Sequence, residues 1–441
     1  MSLDNKIQHD VQLGGPTITQ AGFGTVLVLG AATFAERIKF FGPDDDYETD
    51  SELSRALQDA LSIAFQQEPK PQRVAIGRRD SDAAQSIEFT VDSVAAGDYT
   101  ISIDGTDYTH TAAGGDTVAQ VAAALQALVD ADADVTATED GVDTVTVTAD
   151  TVGEGFGYES SAPDGASITE VEAQANVSVA TELAAVAAAD GDWFGICLET
   201  RDETDILRAG KWANANGRLF MGQMADADAG TSLDTDIASQ LTTLGYKLAA
   251  FSYYSDDSVR FDVGYLAGFL AHSFDETAPT ACYNTVVGVP ADVDDTTFQK
   301  NLEDKNANYY STLKGSPSTF PGVTASGHDI EHVVTGEWTK ARIDELIAQR
   351  FKEYADGGRR IQFNDLGFGV IEQAAYDVLQ NAEGLGHYND GTSEVDMPLR
   401  ANVSDADVGN GLLRWKWGSQ YSGTVKETNI TGHATLDFSG F

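Results

Sequence analysis

Residues 192–224 read DWFGICLETRDETDILRAGKWANANGRLFMGQM, and this stretch decides the fold. Trp193 to Leu198 is a short apolar run without strict alternation, which predicts a strand buried on both faces. Glu203 to Asn214 reads as a helix, and Leu219 to Gln223 as the next strand. Downstream the pattern repeats: a helix over Thr235 to Leu244, a strand over Leu248 to Tyr253, a helix over about Val259 to His272. Upstream, Thr181 is expected to cap a helix over Glu182 to Ala189. Near the start, Thr25 to Leu29 is a strand ended by Gly30. Leu53, Ala56, Leu57, Ala60, Leu61 and Ala64 then fall at helical spacing between Asp50 and Gln67, with Ser51 or Asp50 as N-cap, and Arg73 to Gly77 follows as a strand. Strands alternating with helices of this length predict a mostly parallel sheet covered on both faces.

Residues 81–175 interrupt the alternation. Asp104-Gly105 and Asp140-Gly141 each lie between β-type runs and predict two hairpins. Between them, Gly114-Gly115-Asp116 opens a helix with Val118, Val121, Leu125, Leu128 and Val129 on one face. The last third predicts a helix over Thr339 to Ala355, with Ile343, Leu346, Ile347 and Tyr354 on one stripe, and another over about Gly369 to Gln380. Strand-like runs follow over Leu412 to Gly418 and Thr424 to Phe438. Both chain ends read as extended segments with alternating apolar residues, which implies that something pairs with them. The expected fold class is an α/β core with a mostly parallel sheet, an inserted β-rich (ββαββ-like) domain, and an α+β C-terminal domain with extended terminal arms. The boundaries are 1–20 for the N-terminal arm, 21–80 plus 176–300 for the core, and 81–175 for the insertion. Residues 301–423 form the C-terminal domain and 424–441 its arm.

The chain of 441 residues carries 70 acidic against 27 basic side chains, a formal net charge of -43. Between Arg79 and Arg201 there is no Lys or Arg, while 24 Asp and Glu fall there. The acid is spread along the chain and 42% of residues are hydrophobic, so a folded protein is expected, not a disordered acidic one. Like charge of that size strains a compact fold in dilute buffer, and molar salt shortens the screening length to roughly 3 Å. A salt-loving cell, or something that infects one, is the expected setting. Nucleic acid is not an expected partner, because phosphate contacts need clustered cations. The N-terminus MSLDNKIQHDVQLGG lacks the apolar core of a signal peptide, so an intracellular protein is expected. No stretch approaches a membrane span, and membrane insertion is not expected. Cys197 and Cys282 have no metal-type spacing, and Cys197 reads as a buried inert thiol.

Few motifs carry chemistry. His328-Asp329-Ile330-Glu331-His332 matches the H-x-x-E-H zinc-peptidase pattern, which requires a helix. Gly327 before it and Val333-Val334-Thr335-Gly336 after it read as a short strand, which would turn Glu331 away from both His. Glu199, Asp202, Asp226, Asp256 and Asp257 fall at the carboxyl ends of the parallel strands, where a magnesium site is conceivable. Helix capping explains them equally well. There is no phosphate loop and no G-x-S-x-G elbow, and Asp130, Asp132 and Asp134 begin a calcium loop that lacks its Gly and closing Glu. An enzyme is not expected, and no cofactor or metal; a zinc-dependent hydrolase using His328, Glu331 and His332 is the alternative, and a surface adhesin a third reading. One cationic stretch breaks the acidic background, with Lys340, Arg342, Arg350, Lys352, Arg359 and Arg360 among four acids. It reads either as a solvated helix face or as a docking surface for an acidic partner.

Asn301-Leu-Glu-Asp-Lys-Asn-Ala-Asn308-Tyr309-Tyr310, then Gly336-Glu337-Trp338-Thr-Lys-Ala-Arg342-Ile343-Asp344, resembles the contractile tail-sheath proteins. So do Gly22-Phe23-Gly24-Thr-Val-Leu-Val-Leu-Gly30, Phe34-Ala-Glu-Arg37, Pro71-Gln-Arg73-Val-Ala-Ile-Gly77-Arg78, and Ile361 to Gly367 before a helix. The resemblance runs in patches and skips residues 81–175, where sheath proteins commonly carry a divergent outer domain. It implies stacked hexameric rings around an inner tail tube, with baseplate and tail-terminator proteins as further partners, in a virion tail assembled in host cytoplasm at high salt. Terminal arms would add strands to neighbouring subunits. Val11, Leu13, Thr17 and Thr19 would serve the first arm, and Val425, Thr428, Ile430 and Leu436 the second. Lys340, Arg342, Arg350, Lys352, Arg359 and Arg360 would face the tube. The host is expected to be a halophilic archaeon, and a host-encoded contractile injection machine is the related alternative.

Overall fold

The computed structural model describes residues 22–426. Along the chain these form β1 (Val26–Gly30), β2 (Ile38–Phe41), α1 (Arg55–Phe65) and β3 (Val74–Arg78). Then come β4 (Ser86–Ser93), β5 (Gly97–Ile103), β6 (Thr106–Ala112), α2 (Val118–Val129), β7 (Val135–Glu139), β8 (Thr144–Ala149), β9 (Tyr158–Ser161) and β10 (Ser167–Gln174). The alternating part resumes with α3 (Val179–Ala189), β11 (Gly195–Leu198), α4 (Glu203–Ala215), β12 (Leu219–Met224), α5 (Ile237–Leu244), β13 (Ala249–Tyr253), α6 (Phe261–Leu270), α7 (Thr296–Asp304), β14 (Ala307–Leu313) and β15 (Ser316–Phe320). The remainder is α8 (Ile330–Asp356), α9 (Asp365–Leu385), β16 (Glu394–Asp396), α10 (Asp405–Gly409) and β17 (Lys416–Gly418).

The main sheet has eight strands in the order β15-β14-β13-β12-β11-β1-β3-β2. All neighbours from β14 to β3 are parallel, and only the two edges, β15 and β2, run antiparallel. β1, β11 and β13 are buried at every residue, as apolar runs without alternation require. Helices cover both faces. Leu57 and Leu61 of α1, Leu266 of α6, Val334 and Trp338 of α8 and Leu379 of α9 share one apolar cluster; Leu183, Ile206, Leu241 and Leu302 of α3, α4, α5 and α7 share the other. The crossover after β1 leads to β3 and the one after β11 to β12, so the strand order reverses between β1 and β11.

Several local expectations need correction. The α1 N-cap is Ser54, whose side chain accepts from Leu57 N, not Asp50 or Ser51. The α3 cap is Ser178, with Thr181 closing a capping box. Edge strand β2 escaped the sequence reading because its residues are mostly half-buried. Residues 328–336 do not form a strand: α8 begins at Ile330 and runs unbroken to Asp356. Of the run Leu412 to Gly418, only Lys416–Gly418 is a strand.

The β-rich part has two sheets, β10-β4-β8-β7 and β6-β5-β9, closed over one face of α2. Its apolar cluster draws only on residues between Ile87 and Phe156 among its buried members. Asp104 (φ 49°) and Gly105 (φ 81°) form the two-residue turn between β5 and β6, both in the left-handed region such turns need. β4, β9 and β10 add to the two hairpins, and α2 is capped by Thr117 in a capping box with Gln120, not by Gly114 to Asp116. Where the chain enters and leaves this part, Ala83 and Val177 form an antiparallel bridge. Because residues 80–200 hold no cation, arginines outside them supply the charge pairing at the neck. Arg79 binds Asp82 (2.8 Å) and Asp205 (2.7 Å), Arg37 binds Asp80 (3.0 Å) and Glu182 (2.7 Å), and Arg208 reaches the Val152 carbonyl (3.1 Å).

Candidate assembly surfaces

Helix α8 organises the surfaces at which other chains could attach. Its first half is buried through Ile330, Val334, Trp338 and Ile343, and its second half carries the cationic stretch. Arg342 belongs to the buried half. Its side chain is 10% exposed, pairs with Asp275 (2.8 Å) and Glu345 (2.8 Å), and lies over the Phe23 ring at 5.7 Å. Burial pushes the Asp275 carboxyl up, but the Arg342 hydrogen bond and charge outweigh it and hold that carboxyl below its ordinary value. Arg342 is thereby spent on docking α8 and leaves the set of surface cations.

The other five stand further out. Lys340 is 65% exposed beside Glu337 (3.7 Å). Arg350 spans Glu353 (2.9 Å) and Asp377 of α9 (3.7 Å), and Lys352 faces Asp356 (3.6 Å). Arg359 lies over the Tyr354 ring at 4.9 Å. Arg359 and Arg360 line an open hollow of about 630 Å³ together with Ile361, Gln362, Asn364 and Leu366. Phe351 and Leu366 are exposed nearby, at 52% and 84%. The turn from α8 into α9 therefore combines cations with exposed apolar side chains, a composition suited to protein contact.

Of the H-x-x-E-H match, Glu331 and His332 serve the path of the chain toward its C-terminus. His328 precedes α8 and its Nδ1 pairs with Ser326 Oγ (2.8 Å), so the two His do not share a helix face. Glu331 is buried and accepts from Thr280 Oγ1 (3.0 Å), Ala281 N (3.2 Å) and Thr424 Oγ1 (3.0 Å). His332 stacks on Tyr421 with ring centres 4.8 Å apart. Among the described residues no group of three or more His, Cys, Asp or Glu is placed to hold a metal ion. Ser422 N donates to the His387 carbonyl (3.0 Å), Lys426 Nζ to Pro321 O (2.9 Å) and Asp329 (2.5 Å), and the Tyr283 hydroxyl to the Lys426 carbonyl. Gly336 makes room for this path, since a Cβ there would sit 2.8 Å from the Tyr421 hydroxyl. Chain segment 421–426 is thus laid along the start of α8. Val425 is 74% exposed, while Thr428, Ile430 and Leu436 of the same arm, and Val11, Leu13, Thr17 and Thr19 of the other, lie outside the described residues.

Asp275, Tyr283, Tyr421 and Lys426 were invisible to motif reading, because they meet their partners only through the fold. Four of the five acids at the carboxyl ends of the strands are caps and staples. Asp202 caps α4 through Asp205 N (3.1 Å), Asp226 accepts from Asp228 N (3.0 Å), Asp256 holds Ser258 (2.6 Å) and Asp257 accepts from Ala225 N (2.7 Å). A small antiparallel sheet of β16 and β17 packs Val395 and Trp417 against Ile343 and Val378. It has two strands among the described residues and is held by this packing against α8 and α9.

No protein-family model and no curated protein matches the chain. Solved structures do. The contracted helical sheath of the anti-feeding prophage (AFP) superposes with a TM-score of 0.53 at 11% identity, over 99% of this chain and 100% of that one. A chain of the six-fold-symmetrised AFP baseplate gives 0.52 at 11% identity, covering 99% and 100%. A sheath tail protein from Listeria innocua gives 0.45 at 9% identity over 92% and 97%. The chain has the fold of contractile sheath proteins.

Proposed function

We propose that this chain is the repeating subunit of a contractile sheath. Copies stack as hexameric rings around an inner tail tube, between a baseplate and a tail terminator, and contraction drives the tube through the host envelope. The observation that supports this most is the extent of the likeness to the AFP sheath chain, which spans 99% of this chain and the whole of that one. The arms, residues 1–20 and 424–441, add strands to neighbouring subunits, and the two-stranded sheet of β16 and β17 is the acceptor. The Asp329, Glu331 and Tyr283 contacts would aim the C-terminal arm as it leaves the subunit. Lys340, Arg350, Lys352, Arg359 and Arg360 face the tube. The net charge of -43 suits a virion assembled in salt-rich cytoplasm, as in a virus of a halophilic archaeon. A host-encoded injection machine is the second reading.

Electron microscopy of the purified protein in molar KCl, over a range of concentrations and with its co-expressed tube protein, tests the proposal. Hollow striated tubes or stacked rings are expected. Uniform monomers under every condition, tube protein included, would overturn it.

A further inference from the structure

Open α/β sheets hold their ligands outside the carboxyl ends of the strands, at the point where the strand order reverses. Here that point lies between β1 and β11, whose following helices α1 and α4 pack on opposite faces of the sheet. The groups gathered there are those an oxyanion would use. Ala31 N leaves the end of β1, and Ser54 Oγ stands at the N-terminus of α1, an eleven-residue helix whose first amides favour negative charge. Arg260 is 8% exposed, its Nη1 donates to the Glu199 carbonyl (2.8 Å), and its Nε has no hydrogen-bond partner.

The crevice is filled from within. Glu199, the residue directly after β11, accepts from Ala31 N through Oε2 (2.5 Å) and from Ser54 Oγ through Oε1. Gly30 permits the approach, because a Cβ at that position would lie 2.7 Å from Glu199 Cβ. A capping role does not explain this carboxylate: it makes no bond within its own loop and reaches instead across the strand reversal to the next βα turn, 145 residues away in sequence at Ser54.

We propose that the crevice between β1 and β11 is an anion-binding site whose resident anion is the chain's own Glu199 carboxylate. The fold keeps the ligand geometry of an α/β sheet and supplies the ligand covalently, which closes the site to small oxyanions and ties the two halves of the sheet together. Removing the side chain leaves a space of carboxylate size lined by Ala31 N, Ser54 Oγ and the α1 N-terminus. An external carboxylate would take the same donors.

The test is chemical rescue. Wild type, Glu199→Ala and Glu199→Ser are melted in sodium acetate, formate and chloride at one constant ionic strength, and refolding yield from denaturant is measured in the same salts. Both variants are expected to melt below wild type in chloride. Acetate and formate should restore a concentration-dependent part of the loss in the variants and leave wild type unmoved. A variant that refolds in acetate and fails in chloride supports the proposal equally. If acetate and chloride give the same melting points and the same refolding yields in the variants, the proposal is overturned, as it is if acetate raises wild type as much.

Discussion

His387 shows how much one side chain can hold together here. It is 4% exposed, its Nε2 donates to the Phe274 carbonyl (2.8 Å), and its Nδ1 accepts from Thr335 Oγ1 (3.2 Å). The ring stacks on Phe274 (5.6 Å) and lies 5.0 Å from Trp338, so it joins the end of α9 to α8 and to the loop carrying Asp275. Burial pushes its pKa below the ordinary 6.5, although the Phe274 carbonyl and Asp275 act the other way. A base with a depressed folded pKa binds fewer protons folded than unfolded. Its contribution is complete above pH 6.5 and is lost as pH falls below that toward the folded value. Urea unfolding of wild type and His387→Gln between pH 7.5 and 5 should therefore differ in slope, by at most about 1.4 kcal/mol per pH unit for one proton. Parallel curves would show that His387 does not titrate with folding.

At the scale of elements, α8 divides into an anchored half and a presented half. The sequence placed its start near Thr339, because Val333-Val334-Thr335-Gly336 has poor helix propensity. Burial of Ile330, Val334 and Trp338 against the main sheet overrode that preference. The presented half holds Arg350 and Lys352 in surface pairs with Glu353 and Asp356, and pairs of this kind contribute about 0.3–0.5 kcal/mol each. Reversing both, Arg350→Glu with Lys352→Glu, should leave the monomer's melting point nearly unchanged. If this face meets the tube, the same reversal should abolish assembly on the tube; sheath formation at wild-type levels by sedimentation would exclude that role.

For the whole molecule, electrostatics decide the conditions of stability. A net charge of -43 acts at the surface, whereas the pairs that organise the interior are shielded. Arg201–Asp262 (2.7 Å) and Lys305–Asp236 (2.5 Å) leave their carboxylates with no exposure. Added salt screens the surface repulsion, with a Debye length falling from about 8 Å at 0.15 M to about 3 Å at 1 M, and affects the buried pairs much less. The melting temperature should therefore rise by several degrees or more between 0.1 and 3 M KCl. A flat or falling profile would mean that surface repulsion does not limit this fold.

The sequence by itself determined the parallel core, because runs such as Val26 to Leu29 and Trp193 to Leu198 can only be satisfied when buried on both faces. It determined the hairpin at Asp104-Gly105 through backbone angles few residue pairs tolerate, and it set the charge balance. Tertiary structure alone decided what the polar residues do. The five-residue run His328-Asp329-Ile330-Glu331-His332 matches a metal motif, yet Glu331 is consumed by partners 50 and 93 positions away. Arg342 reads as one of six cations and is buried against Asp275. Glu199 reads as a cap or a ligand and instead bridges β11 to Ser54. Periodicity is local and can be read from neighbours in sequence; the partner of a charge is chosen by whichever group the fold brings within about 3 Å.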